Sequence, residues 1–253
     1  MSTTYSIGEM NQLAGALEKA GFTSDDVTNL RKFGRLTDFR RVIRGELELV
    51  ELRVPNINLE KVYDLLGMSR EYEEATQKFD LTEDPTVWKL VMLKGVTCNK
   101  LVEAYKEAGV KMYLYQDDLD KEVQDNQRDP NRDGSYLVSF RRNAEADQDN
   151  QNQSANDRKE KNCQDITLAE RLLLGLAYFL ATKEHLDVKN WTLCAGSRDR
   201  YGDVPLVRWD PGRCRVRVFW CFPDFRFDNL RSRRGVLACG DTRKCVGAGD
   251  SVA

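Results

Sequence analysis

The sequence predicts an α+β fold, because it contains both clear helical patterns and clear strand patterns. A wide apolar stripe at helical spacing runs through Leu172, Leu176 and Phe179, after a capping box formed by Thr167 and Glu170. Nearer the C-terminus, valines alternate with polar and aromatic residues over 216–220, which is typical of a half-buried strand. The 253 residues are enough for one or two domains with a proper core.

The first 115 residues are predicted to form a small accessory module of helices and mixed structure. Apolar residues at helical spacing from Ile7 to Leu17 predict a first helix, which Gly21 terminates. A second helix is expected to begin near Ser24, where acidic residues suit the positive helix end. The same patterns predict helices over 37–44, 59–66 and 99–108 and strands over 46–53 and 110–115.

A second domain is predicted over residues 116–239. It begins with a polar stretch over 116–134 and a strand over 136–140. A polar loop over 143–165 follows, and its length is typical of excursions or mobile linkers. The amphipathic helix, a hairpin over 204–221 and a last strand over 233–239 follow, and residues 240–253 are expected to form a flexible tail. The residues at 129–134 match the opening of a calcium-binding loop, but Phe140 replaces the bidentate glutamate, so a turn is preferred.

Composition and motifs argue against several functional classes. The net charge of -2 and the short apolar runs predict neither a nucleic-acid protein nor a membrane span. The single histidine, His185, fits a polar role at a helix end better than catalysis, and no nucleotide-binding or zinc spacing occurs. We therefore expect no enzyme activity, no cofactor and no metal. No signal peptide is visible, so the cytoplasm is the default compartment, and display on a cell surface or virus particle stays open.

The segment 190–243 has an unusual composition. It contains no Lys, Glu, Gln or Met, although the frequency of these residues in 1–189 predicts about 13 of them, and it contains eleven Arg. These four residue types share no physical property that would keep them off a folded surface. They are, however, residues that cannot arise when the adenines of asparagine codons (AAY, where Y is C or T) are replaced at random. Trp is also unreachable, so Trp191, Trp209 and Trp220 would belong to a fixed framework.

Five overlapping or neighbouring runs stand out in this region: HLDVKNWTLCAGS at 185–197, WTLCAGSR at 191–198, VPLVRW at 204–209, VRVFW at 216–220 and NLRSRRGV at 229–236. These runs resemble variable proteins of diversity-generating retroelements, in particular those of nanoarchaea and other uncultivated microbes. The resemblance covers roughly residues 136–237. It implies a C-type-lectin-like fold whose last strands and loops display a diversified, ligand-binding set of side chains.

The outward positions of the hairpin and its neighbouring loops are accordingly predicted to form one binding surface. In a strand, Val216, Val218 and Trp220 point to one side, and the residues between them point to the other. The partner is expected to be a protein or cell-surface ligand. The predicted binding residues are Arg198, Asp199, Arg200, Tyr201, Leu206, Arg208, Asp210, Arg213, Cys214, Arg215, Arg217, Phe219, Cys221, Phe222, Phe225, Phe227, Asp228 and Asn229.

Two alternatives stay open at this point. The segment 195–234 contains ten Arg and five Asp together with several aromatic residues, a mixture that also grips single-stranded nucleic acid, although no Lys contributes. The other alternative is an enzyme of the formylglycine-generating type, which shares the C-type-lectin-like fold. Paired reactive cysteines in a pocket would favour that enzyme.

Overall fold

The computed structural model describes residues 6–19, 21, 23, 24, 26, 28 and 54–237. The chain divides into two compact units between Leu52 and Arg53. In the first unit, α1 is Ile7–Lys19, and Gly21 has the positive φ of 81° that favours glycine after a helix. Ser24, Asp26 and Thr28 are helical. The predictions for 37–44, 46–53 and 240–253 lie outside the described residues.

The second unit is a mixed α+β structure with several sheets, as predicted. Its helices are α2 Leu59–Leu65, α3 Ser69–Thr76, α4 Cys98–Glu107, α5 Leu119–Glu122, α6 Pro130–Asp133, α7 Ala155–Glu160 and α8 Leu168–Thr182. Its strands are β1 Val87–Met92, β2 Met112–Leu114, β3 Val123–Asn126, β4 Tyr136–Arg141, β5 Trp191–Leu193, β6 Ser197–Asp199, β7 Val204–Asp210, β8 Arg215–Cys221, β9 Leu230–Arg231 and β10 Val236–Leu237. Within the described ranges, no helix is long and apolar enough to cross a membrane.

Three sheets organise this unit. The largest has the strand order β2-β8-β7-β5-β9, with β7 and β8 forming the predicted antiparallel hairpin. A second sheet has the order β1-β4-β10, and β3 pairs with β6 in a two-stranded ribbon. The large sheet carries the candidate site on one face and core residues on the other.

The division of the chain differs from the predicted boundary near residue 115. Residues 54–115 belong to the same compact unit as the C-terminal strands. The reason is a long-range pairing: β2 lies parallel to β8, with Tyr113 beside Arg217. In addition, Tyr105 of α4 donates a hydrogen bond from its hydroxyl to the Leu172 carbonyl of α8 at 3.0 Å. These contacts make α4 and β2 part of the domain that holds the hairpin.

The helix α8 forms the centre of the core, as its apolar stripe predicts. Thr167 and Glu170 make the capping box, in which each side chain accepts a hydrogen bond from the backbone of the other. Glu170 also accepts bonds from Arg128 Nε and the Tyr136 hydroxyl, both at 2.8 Å. Because Glu170 is fully buried, this buried ion pair and hydroxyl supply the partners that its carboxylate needs.

The polar segment 143–165 contains regular structure, in contrast to the long loop that the sequence predicts. It contains a 3₁₀ turn at Gln148–Asn150 and the helix α7, which has its own capping box from Ser154 and Asp157. Arg158 and Asp165 are buried and form an ion pair of 2.6 Å. Polar side chains of this segment form hydrogen bonds and ion pairs with one another inside the domain. A polar sequence looks the same whether its side chains are paired in this way or solvated in a loop.

Candidate functional site

The β7–β8 hairpin separates a buried face from an outward face, as its alternation predicts. Val207 and Val218 are opposite each other, and both are fully buried in the main core. On the other side, Leu206 is opposite Phe219, Arg208 is opposite Arg217, and Asp210 is opposite Arg215. We call the set Leu206, Arg208, Asp210, Arg215, Arg217, Phe219 and Cys221 the outward face.

A band of arginine and aromatic side chains crosses this outward face. The Phe219 ring stacks on Tyr113 with a centroid separation of 5.4 Å and meets Trp191 edge-on at 6.0 Å. The Arg217 guanidinium lies 4.5 Å from the Phe219 centroid and 5.5 Å from that of Trp191. These distances are those of cation–π contacts, so the arginine is held against the rings.

The guanidinium groups of the band have few anionic partners. Arg208 and Arg217 are directly opposite each other, an arrangement of like charges that weakens a strand pair. Asp210 is the nearest carboxylate, but its Oδ2 is 3.9 Å from Arg215 Nε and 3.7 Å from Arg217 Nη1. Both separations exceed hydrogen-bond length. The Nε atoms of Arg215 and Arg217 are buried and have no hydrogen-bond partner among the described residues.

A cleft of about 440 Å³ opens at the end of the outward face. Its volume is in the range of small-ligand sites. Beneath it lies a small hydrophobic cluster that is separate from the main core and includes Leu193, Val204 and Leu230. The residues that line the cleft are Trp191, Asp203, Leu206, Arg217, Phe219, Trp220, Cys221, Phe222, Phe225 and Phe227.

The cleft brings together seven of the predicted binding residues: Leu206, Arg217, Phe219, Cys221, Phe222, Phe225 and Phe227. Three more, Arg208, Asp210 and Arg215, lie beside it on the outward face. The others lie elsewhere. Arg213 and Cys214 are in the exposed hairpin turn, Arg198 to Tyr201 are in β6 and the turn after it, and Asp228 and Asn229 are exposed before β9.

The structure corrects the predicted set in two ways. Leu206 is a buried member of it, and Trp191, Asp203 and Trp220 line the cleft although they were not predicted binding residues. Leu206 is only 6% exposed, because it packs with Leu193 and Val204 in the small cluster and forms the floor of the cleft. Tyr113 and Tyr115 of the β2 region contact Phe219, although the sequence placed them in the accessory module. Their alternation with Met112 and Leu114 was the available signal, since it predicts one outward side of a strand.

Two titratable groups of the cleft have shifted pKa values. Burial raises the pKa of the Cys221 thiol to about 12, so the group is protonated at neutral pH. Cys221 is also the one cysteine among the residues that line the cleft. Burial and the nearby charge of Asp199 raise the pKa of Asp203. In the part of the chain that the structure describes, no three His, Cys, Asp or Glu side chains are placed to hold a metal ion.

Searches against protein-family models, curated proteins and solved structures found no match.

A buried charge network supports the sheet from its other face. Asp187 accepts hydrogen bonds from Arg171 Nε at 2.9 Å and from Arg233 Nη2 at 2.8 Å, and all three side chains are buried. Its backbone carbonyl accepts a bond from the Trp209 N–H of β7 at 3.2 Å. Burial alone would raise the pKa of Asp187, but the charges of Arg233 and Arg171 outweigh burial and lower it. Asp187 thus connects α8, β7 and the segment before β10.

His185 lies in this same region, and its ring is packed between aromatic side chains instead of taking the polar role at a helix end that the sequence predicts. Its ring stacks on Trp209 at 3.5 Å and on Phe179 at 4.8 Å. Burial lowers its pKa to about 4, and the charge of Arg171 acts in the same direction. His185 is therefore neutral at pH 7 and acts as an aromatic packing residue.

This environment predicts a pH-dependent loss of stability. In the unfolded chain, histidine titrates near pH 6.5. Between about pH 6.5 and pH 4 the unfolded state binds a proton that the folded state does not, so the free energy of unfolding falls as the pH is lowered. With allowance for the partial exposure of the ring, we expect a loss of about 1 to 2 kcal/mol. Urea denaturation at pH 7 and pH 4.5 measures it.

The control is His185→Phe, which keeps an aromatic ring between Phe179 and Trp209 but removes the titration. The variant should lose less stability over this pH interval than the original chain. Equal losses in the two proteins would contradict the assignment to His185.

Proposed function

We propose that this chain is a ligand-binding protein without enzyme activity, whose outward sheet face is diversified by a retroelement that replaces adenines. One observation carries the proposal. Along β7 and β8 a buried framework that includes Val207 and Val218 alternates with outward residues from the restricted codon set, and the outward residues meet at a cleft.

The composition of the cleft supports this interpretation. Eight of the ten residues that line it can arise from AAY codons, and the two exceptions are Trp191 and Trp220 of the proposed fixed framework. Substitutions on a surface typically cost within about 0.5 kcal/mol, whereas changes in a core cost several. A fold with a buried framework and an outward face therefore tolerates many different combinations of side chains on the outward face. Arg and aromatic side chains also supply much of the energy at protein interfaces.

We further propose that the second unit is a C-type-lectin-like domain and the chain a member of the variable-protein group that its C-terminal runs resemble. The support is positional, because three of the exposed aromatic residues, Tyr201, Phe222 and Phe225, lie in the last strands and loops, as that resemblance implies. Tyr201 and Phe222 are 77% and 73% exposed. Such exposure is costly in water unless a partner covers the rings.

The gene neighbourhood tests the proposal. Sequencing the locus should reveal a reverse-transcriptase gene and a near-copy of the 3′ end that differs from the coding copy at adenines. We expect the differing codons to include those of Arg208, Arg217 and Phe219 and to exclude those of Val207 and Val218. A locus without a near-copy, or with differences spread equally over both faces, would overturn the proposal.

A further inference from the structure

We infer that the cleft binds an acidic, apolar segment of another protein in extended conformation, with an apolar side chain in the cleft and a carboxylate on the arginine band. This inference rests on the proposed function, because it names the ligand class for the same face. The ligand class applies to the outward residues of this sequence. Other diversified versions of the same protein would carry other outward residues and bind other ligands.

The apolar part of the ligand follows from the walls of the cleft. Seven lining residues are apolar or aromatic. Among them, Phe222 and Phe225 are 73% and 45% exposed to solvent. Phe225 and Phe227 lie 5.4 Å apart by their centroids, so these rings form one continuous apolar wall. An aromatic or branched aliphatic side chain in the cleft would remove this surface from water.

The anionic part follows from the unpaired guanidinium donors. Arg215 and Arg217 share Asp210 as their nearest carboxylate. Arg208 forms no ion pair with a described carboxylate and donates to the backbone carbonyls of Trp209 and Val188, so the three arginines and one aspartate leave an excess of two positive charges. The Arg215 and Arg217 side chains are 19% and 27% exposed, and Asp210 is too far away to accept a hydrogen bond from either. A ligand carboxylate at the exposed ends of these guanidinium groups would supply an acceptor in the planar geometry that arginine suits. Arg217 is the central group, because it lines the cleft and also belongs to the band.

The spacing of these two parts indicates an extended peptide. Phe219 and Arg217 are two residues apart on one side of a strand, which corresponds to about 7 Å. Side chains at positions i and i+2 of an extended peptide have the same spacing and also point to the same side. Asp203 lies at the end of the cleft that is farther from Arg217, and its negative charge disfavours a ligand carboxylate at that end. The carboxylate of the segment is therefore expected at the Arg217 end, which sets the direction in which the segment binds.

Single-stranded nucleic acid is less well matched to this face. Stacking of bases requires free ring faces, whereas the Tyr113 ring already has Phe219 at 5.4 Å and the Arg215 guanidinium at 4.3 Å. The Phe219 ring is likewise contacted by Tyr113, Tyr115 and Arg217. Peptide and nucleic acid are therefore compared in the same experiment.

The experiment uses the indole N–H signals of the ¹⁵N-labelled full chain, which has four Trp. Trp191 reports on the cleft, and Trp88 is the internal control because its Nε1 donates to the Pro55 carbonyl at 3.0 Å and its side chain is buried. The probes are acetyl-Phe-Gly-Glu-amide, its neutral analogue acetyl-Phe-Gly-Gln-amide, and deoxythymidine decanucleotide.

We expect the Glu peptide to shift the Trp191 signal saturably, with an affinity about tenfold higher than that of the Gln peptide. In Arg217→Gln the two peptides should bind equally, and an unchanged Trp88 signal shows that the variant is folded. Equal binding of the peptides to the original chain would overturn the acidic class but leave a binding cleft. Tighter, salt-sensitive binding of the decanucleotide would replace the proposal with a nucleic-acid site. The absence of any Trp191 shift at 10 mM peptide would overturn the ligand class, whereas the proposed function is judged separately from the gene locus.

Discussion

Replacing Asp187 with alanine is expected to lower the free energy of unfolding by about 3 to 5 kcal/mol. The substitution removes the only carboxylate that Arg171 and Arg233 share among the described residues, and both guanidinium groups are buried. Breaking a buried ion pair by removing one partner leaves an uncompensated charge in the interior, which has a cost of this size. Urea denaturation followed by tryptophan fluorescence measures the change.

The matched control is Asp210→Ala, which removes a carboxylate from the outward face of the same sheet. Asp210 lies 3.7 Å and 3.9 Å from its arginine partners, and its side chain is partly exposed, so we expect a loss below about 1 kcal/mol. Similar losses in the two variants would show that Asp187 does not hold the sheet to α8 and that the buried network is not the support of the candidate site.

Two neighbouring substitutions in β8 are expected to differ in their effects by several kcal/mol. Val218→Asp places an unpaired charge in the core, where Val218 is fully buried, and should cost more than about 4 kcal/mol or prevent folding. Arg217→Asp changes a side chain that is 27% exposed on the outward face and should cost less than about 1 kcal/mol. Thermal unfolding and the yield of soluble protein measure both. Comparable losses would contradict the division of the hairpin into a fixed and a variable face.

Local patterns predicted the elements whose energetics are local. The capping box of α8 spans only four residues, so a short stretch of sequence specifies it. The alternation in β8 is equally local, and it is visible because one face of the strand is buried. The predicted hairpin over 204–221 is observed as β7 and β8 for the same reason. Seven of the cleft residues were also predicted, since they follow from the outward positions of this hairpin and the loop after it.

Contacts between distant parts of the chain could not be predicted in this way. The pairing of β2 with β8 brings Tyr113 to the outward face across about a hundred residues of sequence, and no local pattern specifies that pairing. Asp187 was part of a run used for the resemblance, yet its role depends on Arg233, which is 46 positions away. The buried position of Leu206 depends likewise on Leu193 and Leu230.

A stability scan of the hairpin tests the central claim most directly, namely that one face of the sheet can be rewritten without loss of the fold. Each position from 204 to 221 is changed to the fifteen residues that AAY codons can produce, and folding is measured by resistance to proteolysis of the displayed chain. We predict that Arg208, Arg215, Arg217 and Cys221 accept nearly all fifteen, that Leu206 and Phe219 accept mainly apolar ones, and that Val207, Val216 and Val218 accept only close apolar substitutes. Equal tolerance on the two faces, or intolerance at the arginine positions, would contradict the account.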